Sequence, residues 1–100
     1  MKSGPGLSKT KMRFQFFIIV PEFLTHVWML EQERRAQSIV QRYLLGNDIE
    51  NKSGLRAYRS LRAQRSIVIE ALDLRVLEAV RHEFDRQGFY VEGGVHVEHR

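Results

Sequence analysis

A chain of 100 residues with 43% apolar and 28% charged side chains has the length and the composition of one small globular domain. It contains no cysteine, which excludes disulfides, thiolate zinc sites and cysteine nucleophiles. No apolar run approaches the roughly 20 residues of a membrane-spanning helix, and no apolar segment directly follows Met1 as in a signal peptide. We therefore expect a cytoplasmic protein that does not enter a membrane.

The net charge of +4 conceals a segregation of charge along the chain. Residues 1–13 contain four basic side chains and residues 52–66 contain five, and neither segment contains an acid. The rest of the chain holds seven basic and twelve acidic side chains, so it is mildly acidic. Positive charge concentrated in this way indicates contact with a polyanion more strongly than a uniformly basic composition would.

Residues 1–10 are rich in glycine and serine and contain lysines, which predicts a flexible basic arm ahead of one domain over residues 11–100. Residues 12–20, with the sequence MRFQFFIIV, are the longest nearly unbroken run of β-branched and aromatic side chains. Such a run is typical of a central strand that is buried on most of its surface. Alternation predicts one inner face, made of Met12, Phe14, Phe16, Ile18 and Val20.

A helix is predicted over residues 21–45. Its first residues are a proline, which suits the first turn, and a glutamate, which suits the positive end of the helix dipole. Apolar residues keep helical spacing on both sides of a polar middle, which leaves room for a bend or break at residues 33–37. Gly46 and the asparagine after it end the helix, and a loop follows.

Residues 55–64 fit two structures. A spacing of three between Leu55, Tyr58 and Leu61, and between the arginines beside them, suits a short helix. Alternation suits a strand with the leucines inward and Tyr58 outward. We favour the strand, because residues 65–71 have the composition of a strand whose edge a hairpin partner would cover.

The last third of the chain predicts a helix and a strand. Asp73 is the expected N-cap of a helix with apolar residues at helical spacing, and Gly88 is its expected end. Residues 89–97 form the last strand, in which Gly93 and Gly94 indicate a bulge or tight turn.

The predicted order of elements is therefore β-α-β-β-α-β. This order is the α+β, ferredoxin-like sandwich, in which two helices cover one face of an antiparallel sheet. If residues 55–64 were helical, the fold would be a three-stranded α+β relative.

A sheet covered on one face leaves its other face open, and arginines beside aromatic rings on a sheet can stack single-stranded bases and neutralise phosphates. We therefore expect a nucleic-acid-binding module that prefers RNA over DNA and works without a cofactor. The predicted contact residues are Lys2, Lys9, Lys11, Arg13, Phe17, Lys52, Arg56, Tyr58, Arg59, Arg62, Arg65 and Tyr90.

The alternative is a protein-interaction or inhibitor module that forms a homodimer, or docks on an acidic protein, through its sheet face or a sheet edge. The arginine series has a separate alternative of its own, a solvated stripe that pairs with the helix acids Glu78, Glu83 and Asp85.

Nothing in the sequence points to a particular reaction. It has no glycine-rich phosphate loop, nucleophile elbow or zinc-ligand spacing. His96 and Glu98 would lie on one face of the last strand, but two such ligands make a weak metal site. Glu70 and Asp73 leave a metal-dependent nuclease open, although Asp73 is better explained as a helix cap. We expect binding rather than catalysis.

Overall fold

The computed structural model describes residues 12–21, 26–63 and 65–99. It contains the strands β1 (Met12–Ile19), β2 (Arg56–Arg59), β3 (Ser66–Ala71) and β4 (Val91–His99), and the helices α1 (His26–Asn47) and α2 (Leu74–Arg86). The predicted basic arm, with Lys2 and Lys9, lies outside the described residues, as do Lys11 and Glu22.

The strands form one antiparallel sheet in the order β2-β3-β1-β4. The ferredoxin-like β-α-β-β-α-β order is therefore confirmed. The alternative with a helix at residues 55–64 is wrong, because β2 pairs with β3 along its whole length. In the described part of the chain, no helix is both long and apolar enough to cross a membrane.

Both helices pack on the same face of the sheet, where the hydrophobic core lies. β1 runs through the centre of the sheet and buries Phe16 and Ile18 in this core, as its alternating pattern predicts. The Phe84 ring of α2 packs edge-on against Phe16, with 5.6 Å between ring centroids. The other core residues include Ala36, Ile39, Val40, Leu44, Ile67, Ile69, Leu77 and Val80.

α1 continues without interruption through the polar middle where a bend or break was left open. This polar stretch packs beside β2 and finds partners there. The Glu33 carboxylate pairs with Arg59 at 3.2 Å, and the Gln37 side chain donates to the carbonyl of Ala57 at 3.3 Å. Polar residues in the middle of the helix therefore anchor it to the sheet edge instead of breaking it.

β2 is shorter than predicted, because a turn begins at Ser60. The Ser60 hydroxyl accepts hydrogen bonds from the backbone N–H groups of Arg62 and Ala63. This local hydrogen bonding competes with strand pairing and ends the ladder. Leu61, predicted to point inward, is 98% exposed as a result.

The N-cap and the end of α2 and the bulge in β4 lie where the sequence predicts them. Asp73 caps α2 by accepting from the backbone N–H of Arg75, and Gly88, at φ +90°, follows the helix end. In β4, the pairing with β1 shifts register beside Gly93 and Gly94, which confirms the bulge.

Candidate functional site

The face of the sheet that lies opposite the helices, here called the open face, carries charged and aromatic side chains. The pairing registers place two rows of residues across it. The first row, the charged row, contains Arg56, Glu70, Gln15 and His96 in neighbouring positions on the four strands. The second row, the aromatic row, contains Tyr58, Val68, Phe17 and Glu92. The rows are two residues apart along β1, β2 and β3, or about 7 Å, and four residues apart along β4, where the bulge lies between them.

Glu70 is the centre of the charged row. Its side chain is 0% exposed, although it lies on the face that no helix covers. The carboxylate is enclosed by the side chains that donate hydrogen bonds to it: Arg13 at 2.9 Å, Gln15 at 3.3 Å, Tyr58 at 2.8 Å, and the Nε of Arg56. A buried carboxylate is stable only with such partners.

These partners decide the protonation state of Glu70. Burial raises the pKa of the Glu70 carboxyl, but the hydrogen bonds from Tyr58, Arg56 and Gln15 together outweigh burial, and the pKa lies below its ordinary value. The group is therefore a carboxylate at neutral pH, held against two guanidinium groups. It holds other side chains in place and is poorly suited to accept a proton from a substrate.

A pocket of about 520 Å³ opens over the aromatic row. Phe17, Tyr58 and Val68 form its sheet side, and the turn after β2 forms another side through Leu61 and Arg62. The remaining lining residues are Gln15, Ser60 and Ala63. The volume lies in the range of small-molecule sites, and the lining combines aromatic rings with a few hydrogen-bonding groups.

His96 of the charged row also contacts a ring of the aromatic row. Its ring lies 5.7 Å from the Phe17 ring, centroid to centroid. Tyr90 precedes β4 and is largely exposed beside Ile19, whose backbone N–H donates to the Tyr90 carbonyl. The open face therefore carries the predicted contact residues Arg13, Phe17, Arg56, Tyr58 and Tyr90, of which Tyr90 lies outside the pocket and outside both rows.

The arginine series of residues 56–65 does not form one surface. Arg59 projects to the helix side, where it pairs with Glu33 of α1. Arg65 donates to the carbonyl of Pro21 at 3.0 Å. Arg62 is exposed at the rim of the pocket, and within the described residues its guanidinium makes no hydrogen bond or ion pair.

Lys52 also lies apart from the open face. It pairs with Glu50 at 3.4 Å and lines a different pocket, at the ends of the two helices. The prediction that the arginines pair with Glu78, Glu83 and Asp85 was wrong. Glu33 and Glu70 take that role, while Glu83 pairs with Arg86 within its own helix.

The sequence analysis did not identify Glu70 as the residue that holds the charged side chains of the open face, although the composition of β3 indicated it. Ile67, Val68, Ile69 and Ala71 give β3 the composition of a strand buried on both faces, and Glu70 is the one acid among them. A lone acid in such a strand indicates cationic partners on the neighbouring strands.

The two carboxylates considered for a nuclease serve other purposes. Glu70 is held by the arginines, and Asp73 caps α2. Among the residues that the structure describes, no three histidine, aspartate or glutamate side chains come together as a metal site.

Comparison with known proteins gives no further guide to function. No protein-family model matches the chain, and neither a curated protein nor a solved structure matches it. The chemistry of the open face is therefore the basis for assigning a function.

Proposed function

We propose that the open face binds single-stranded nucleic acid, with RNA as the preferred ligand. The observation that supports this proposal is the position of the aromatic pocket directly beside the charged row, where Arg56 and Arg13 both contact Glu70. Phe17 and Tyr58 offer rings on which a base can stack, and Arg13, Arg56 and Arg62 surround them with positive charge. We name RNA first because single-stranded RNA is commonly recognised by stacking its unpaired bases on aromatic side chains.

In this proposal the base and the phosphates contact different parts of the face. A base enters the pocket over Val68 and stacks on Phe17 or Tyr58, and the Ser60 hydroxyl at the pocket edge is available to hydrogen-bond its rim. Phosphates lie against Arg62 and the charged row and displace counterions, so the affinity falls as salt rises. Arg59 and Lys52 face away from the ligand and are left out of the interface.

A second candidate is a protein-interaction module that uses the same face. The almost fully exposed Leu61 at the pocket rim favours it, because a large apolar side chain in that position suits burial against a protein partner. The edges of the sheet are less suited than this face to binding a protein partner. β2 pairs over only four residues, and β4 carries a bulge, which disrupts pairing with another strand.

The test is the fluorescence anisotropy of a short labelled single-stranded RNA, measured between about 50 and 200 mM salt. We expect binding that Phe17→Leu weakens by about 5-fold to 100-fold, the usual effect of removing one stacking ring. We also expect Arg62→Ala to lower the slope of log affinity against log salt by about 0.7.

Arg34→Ala is the matched control, because Arg34 is another exposed arginine and lies on α1, behind the sheet. It removes the same charge and should leave both the affinity and the slope unchanged. Single-stranded DNA of the same sequence tests the preference for RNA. No binding at low salt, or equal losses in Arg62→Ala and Arg34→Ala, would reject the proposal. A salt-resistant oligomer that Leu61→Ser dissociates would support the protein-interaction module instead.

A further inference from the structure

We propose that Arg13, Glu70 and Arg56 form a subsite for a single phosphodiester group, the one that belongs to the nucleotide whose base occupies the aromatic pocket. This inference rests on the proposed function and adds to it the charge and the position of the group that is bound. The three side chains are here called the phosphate subsite.

The geometry of the subsite brings two guanidinium groups together. Arg13 Nη1 and Arg56 Nε both donate to the same oxygen of Glu70, Oε2. Two cations that share one acceptor atom must lie within a few ångströms of each other. They repel one another, and the single carboxylate compensates only one of the two charges. A second anion beside them would remove the remaining imbalance.

The subsite also has more hydrogen-bond donors than acceptors. Arg56 uses Nε for Glu70, which leaves the NH₂ groups of a forked guanidinium on a side chain that is 55% exposed. In Arg13, Nε is buried and finds no acceptor among the described residues. An orphan donor of this kind carries an energetic cost. Guanidinium N–H groups that are not used within the protein can donate charge-assisted hydrogen bonds to an oxyanion.

Glu70 fixes the two guanidinium groups before any ligand arrives. The side chain of Arg13 is only 23% exposed, and the carboxylate that it contacts is completely buried. Holding the arginines in place in the unbound protein reduces the entropy that binding would otherwise have to overcome. Glu70 is thus a positioning residue, and the phosphate is contacted by the arginines.

The charge of the subsite selects the kind of phosphate. Two arginines and one carboxylate give a net charge of +1, which one phosphodiester, with a single negative charge, neutralises. A terminal phosphate monoester carries about −1.5 to −2 at neutral pH and would leave excess negative charge beside Glu70. The charge balance therefore favours a phosphate inside a nucleic-acid strand over a free nucleotide.

The position of the subsite links it to the pocket. Glu70 and Val68 lie two residues apart on β3, so the charged row and the aromatic row are about 7 Å apart. That separation is on the scale of the distance between a base and its own phosphate. One nucleotide can therefore place its base over Val68 and its phosphate against Arg56.

The experiment compares three small probes by NMR titration of the full chain. The first is a dinucleotide with one phosphodiester and no terminal phosphate. The second is the same dinucleotide with an uncharged methylphosphonate linkage, and the third is the nucleoside 5′-monophosphate. We expect the phosphodiester to bind about fivefold more tightly than the methylphosphonate, and more tightly than the monophosphate.

Arg56→Gln should bring the ratio between the phosphodiester and the methylphosphonate close to one, whereas Arg34→Gln should leave it near fivefold. Because the Arg56 side chain is half exposed, the variant is expected to fold, which circular dichroism verifies. Arg56→Lys keeps the charge but loses the fork, and should give an intermediate ratio.

The failure of the subsite can be told apart from the failure of the proposed function. If the longer RNA and both dinucleotides bind, but the ratio is one or survives in Arg56→Gln, the subsite is wrong and nucleic-acid binding stands. Tighter binding of the monophosphate would overturn the choice of a phosphodiester. If none of the nucleic-acid probes binds, both proposals fall.

Discussion

Glu70→Gln isolates the role of the buried carboxylate, because glutamine keeps the size of the side chain and removes its charge. In the wild-type protein the carboxylate accepts hydrogen bonds from four side chains, and it is the only acidic group in the phosphate subsite. In the variant, Arg13 and Arg56 lose their common anion. Glutamine has an NH₂ group, a hydrogen-bond donor, in place of one carboxylate oxygen. This NH₂ group would face the donors of the neighbouring side chains, so part of the hydrogen-bond network must rearrange or remain unpaired.

The expected loss of stability follows from the exposure of each partner. A charge-assisted hydrogen bond shielded from water contributes about 1.5–3 kcal/mol, and an exposed ion pair contributes about 0.2–1 kcal/mol. Arg13 is mostly buried and belongs near the first range, whereas Arg56 is half exposed and belongs near the second. We therefore expect the variant to lower the free energy of unfolding by about 2–3 kcal/mol at pH 7.

Urea denaturation of both proteins between acid and neutral pH measures this loss. The pKa of Glu70 lies below its ordinary value of 4.5, so its ionisation stabilises the fold above that value and the stabilisation disappears as pH falls through the lower, folded-state pKa. The difference between the two proteins should be largest at neutral pH and shrink in acid. Asp48 and Glu83 also have lowered pKa values, but both proteins retain them and their effects cancel.

Two results would contradict this reasoning. A loss below about 0.5 kcal/mol at pH 7, the usual range for a surface substitution, would mean that the carboxylate is not an energetic centre of the open face. A large loss that stays constant with pH would mean that the packing of the side chain matters and its charge does not.

Three further substitutions test the fold that supports this face. Asp73→Ala should destabilise the protein by about 1 kcal/mol through loss of the N-cap of α2, and Asp73→Asn should restore most of it. Gly54→Ala should cost about 1–2 kcal/mol in thermal unfolding, because Gly54 has a φ of +69° and an added Cβ would lie 3.1 Å from Leu72. Phe84→Ala should cost about 3–5 kcal/mol in urea, since Phe84 is fully buried, and a loss under 1 kcal/mol would contradict the assigned core.

The helices and strands that were predicted correctly are those in which the local sequence pattern and the packing in the fold favour the same structure. β1 is one such element, because alternation and dense apolar composition both place Phe16 and Ile18 in the core. α2 is another, because Asp73 and Gly88 mark its ends and its apolar residues keep one face. The bulge at Gly93 was also predicted, since glycine inside a strand often marks one.

The partners of the charged residues could not be predicted, because they depend on how distant strands pair. Arg56 and Glu70 meet only because β2 and β3 align in one register, and Arg13 joins them from the next strand. Likewise, Arg59 finds Glu33 only after α1 packs beside β2. Spacing along the chain gives the identity of a charge, but the sheet decides which face it occupies and what neutralises it.

This internal pairing limits how much positive charge the open face offers to a polyanion. Of the five basic residues in segment 52–66, only Arg56 and Arg62 lie at the proposed interface, and Arg56 shares Glu70 with Arg13. At the proposed phosphate contacts the face therefore presents about two effective charges, one at the phosphate subsite and one at Arg62. Each charge that neutralises a phosphate of single-stranded nucleic acid adds about 0.7 to the salt slope, so the face alone predicts a slope near 1.4.

The two lysines of the predicted basic arm, together with Lys11 next to it, provide the comparison. If Lys2, Lys9 and Lys11 also contact phosphates, the slope for the complete chain should rise to about 3.5, and changing all three to alanine should return it to about 1.4. The measurement is RNA affinity across a salt series for both proteins, with labelled RNA long enough to extend beyond the open face. A slope near 1.4 in both proteins would indicate that only the open face binds phosphates. A slope near 2 that falls almost to zero in the triple variant would place the binding charge on the arm and refute the assignment of the open face.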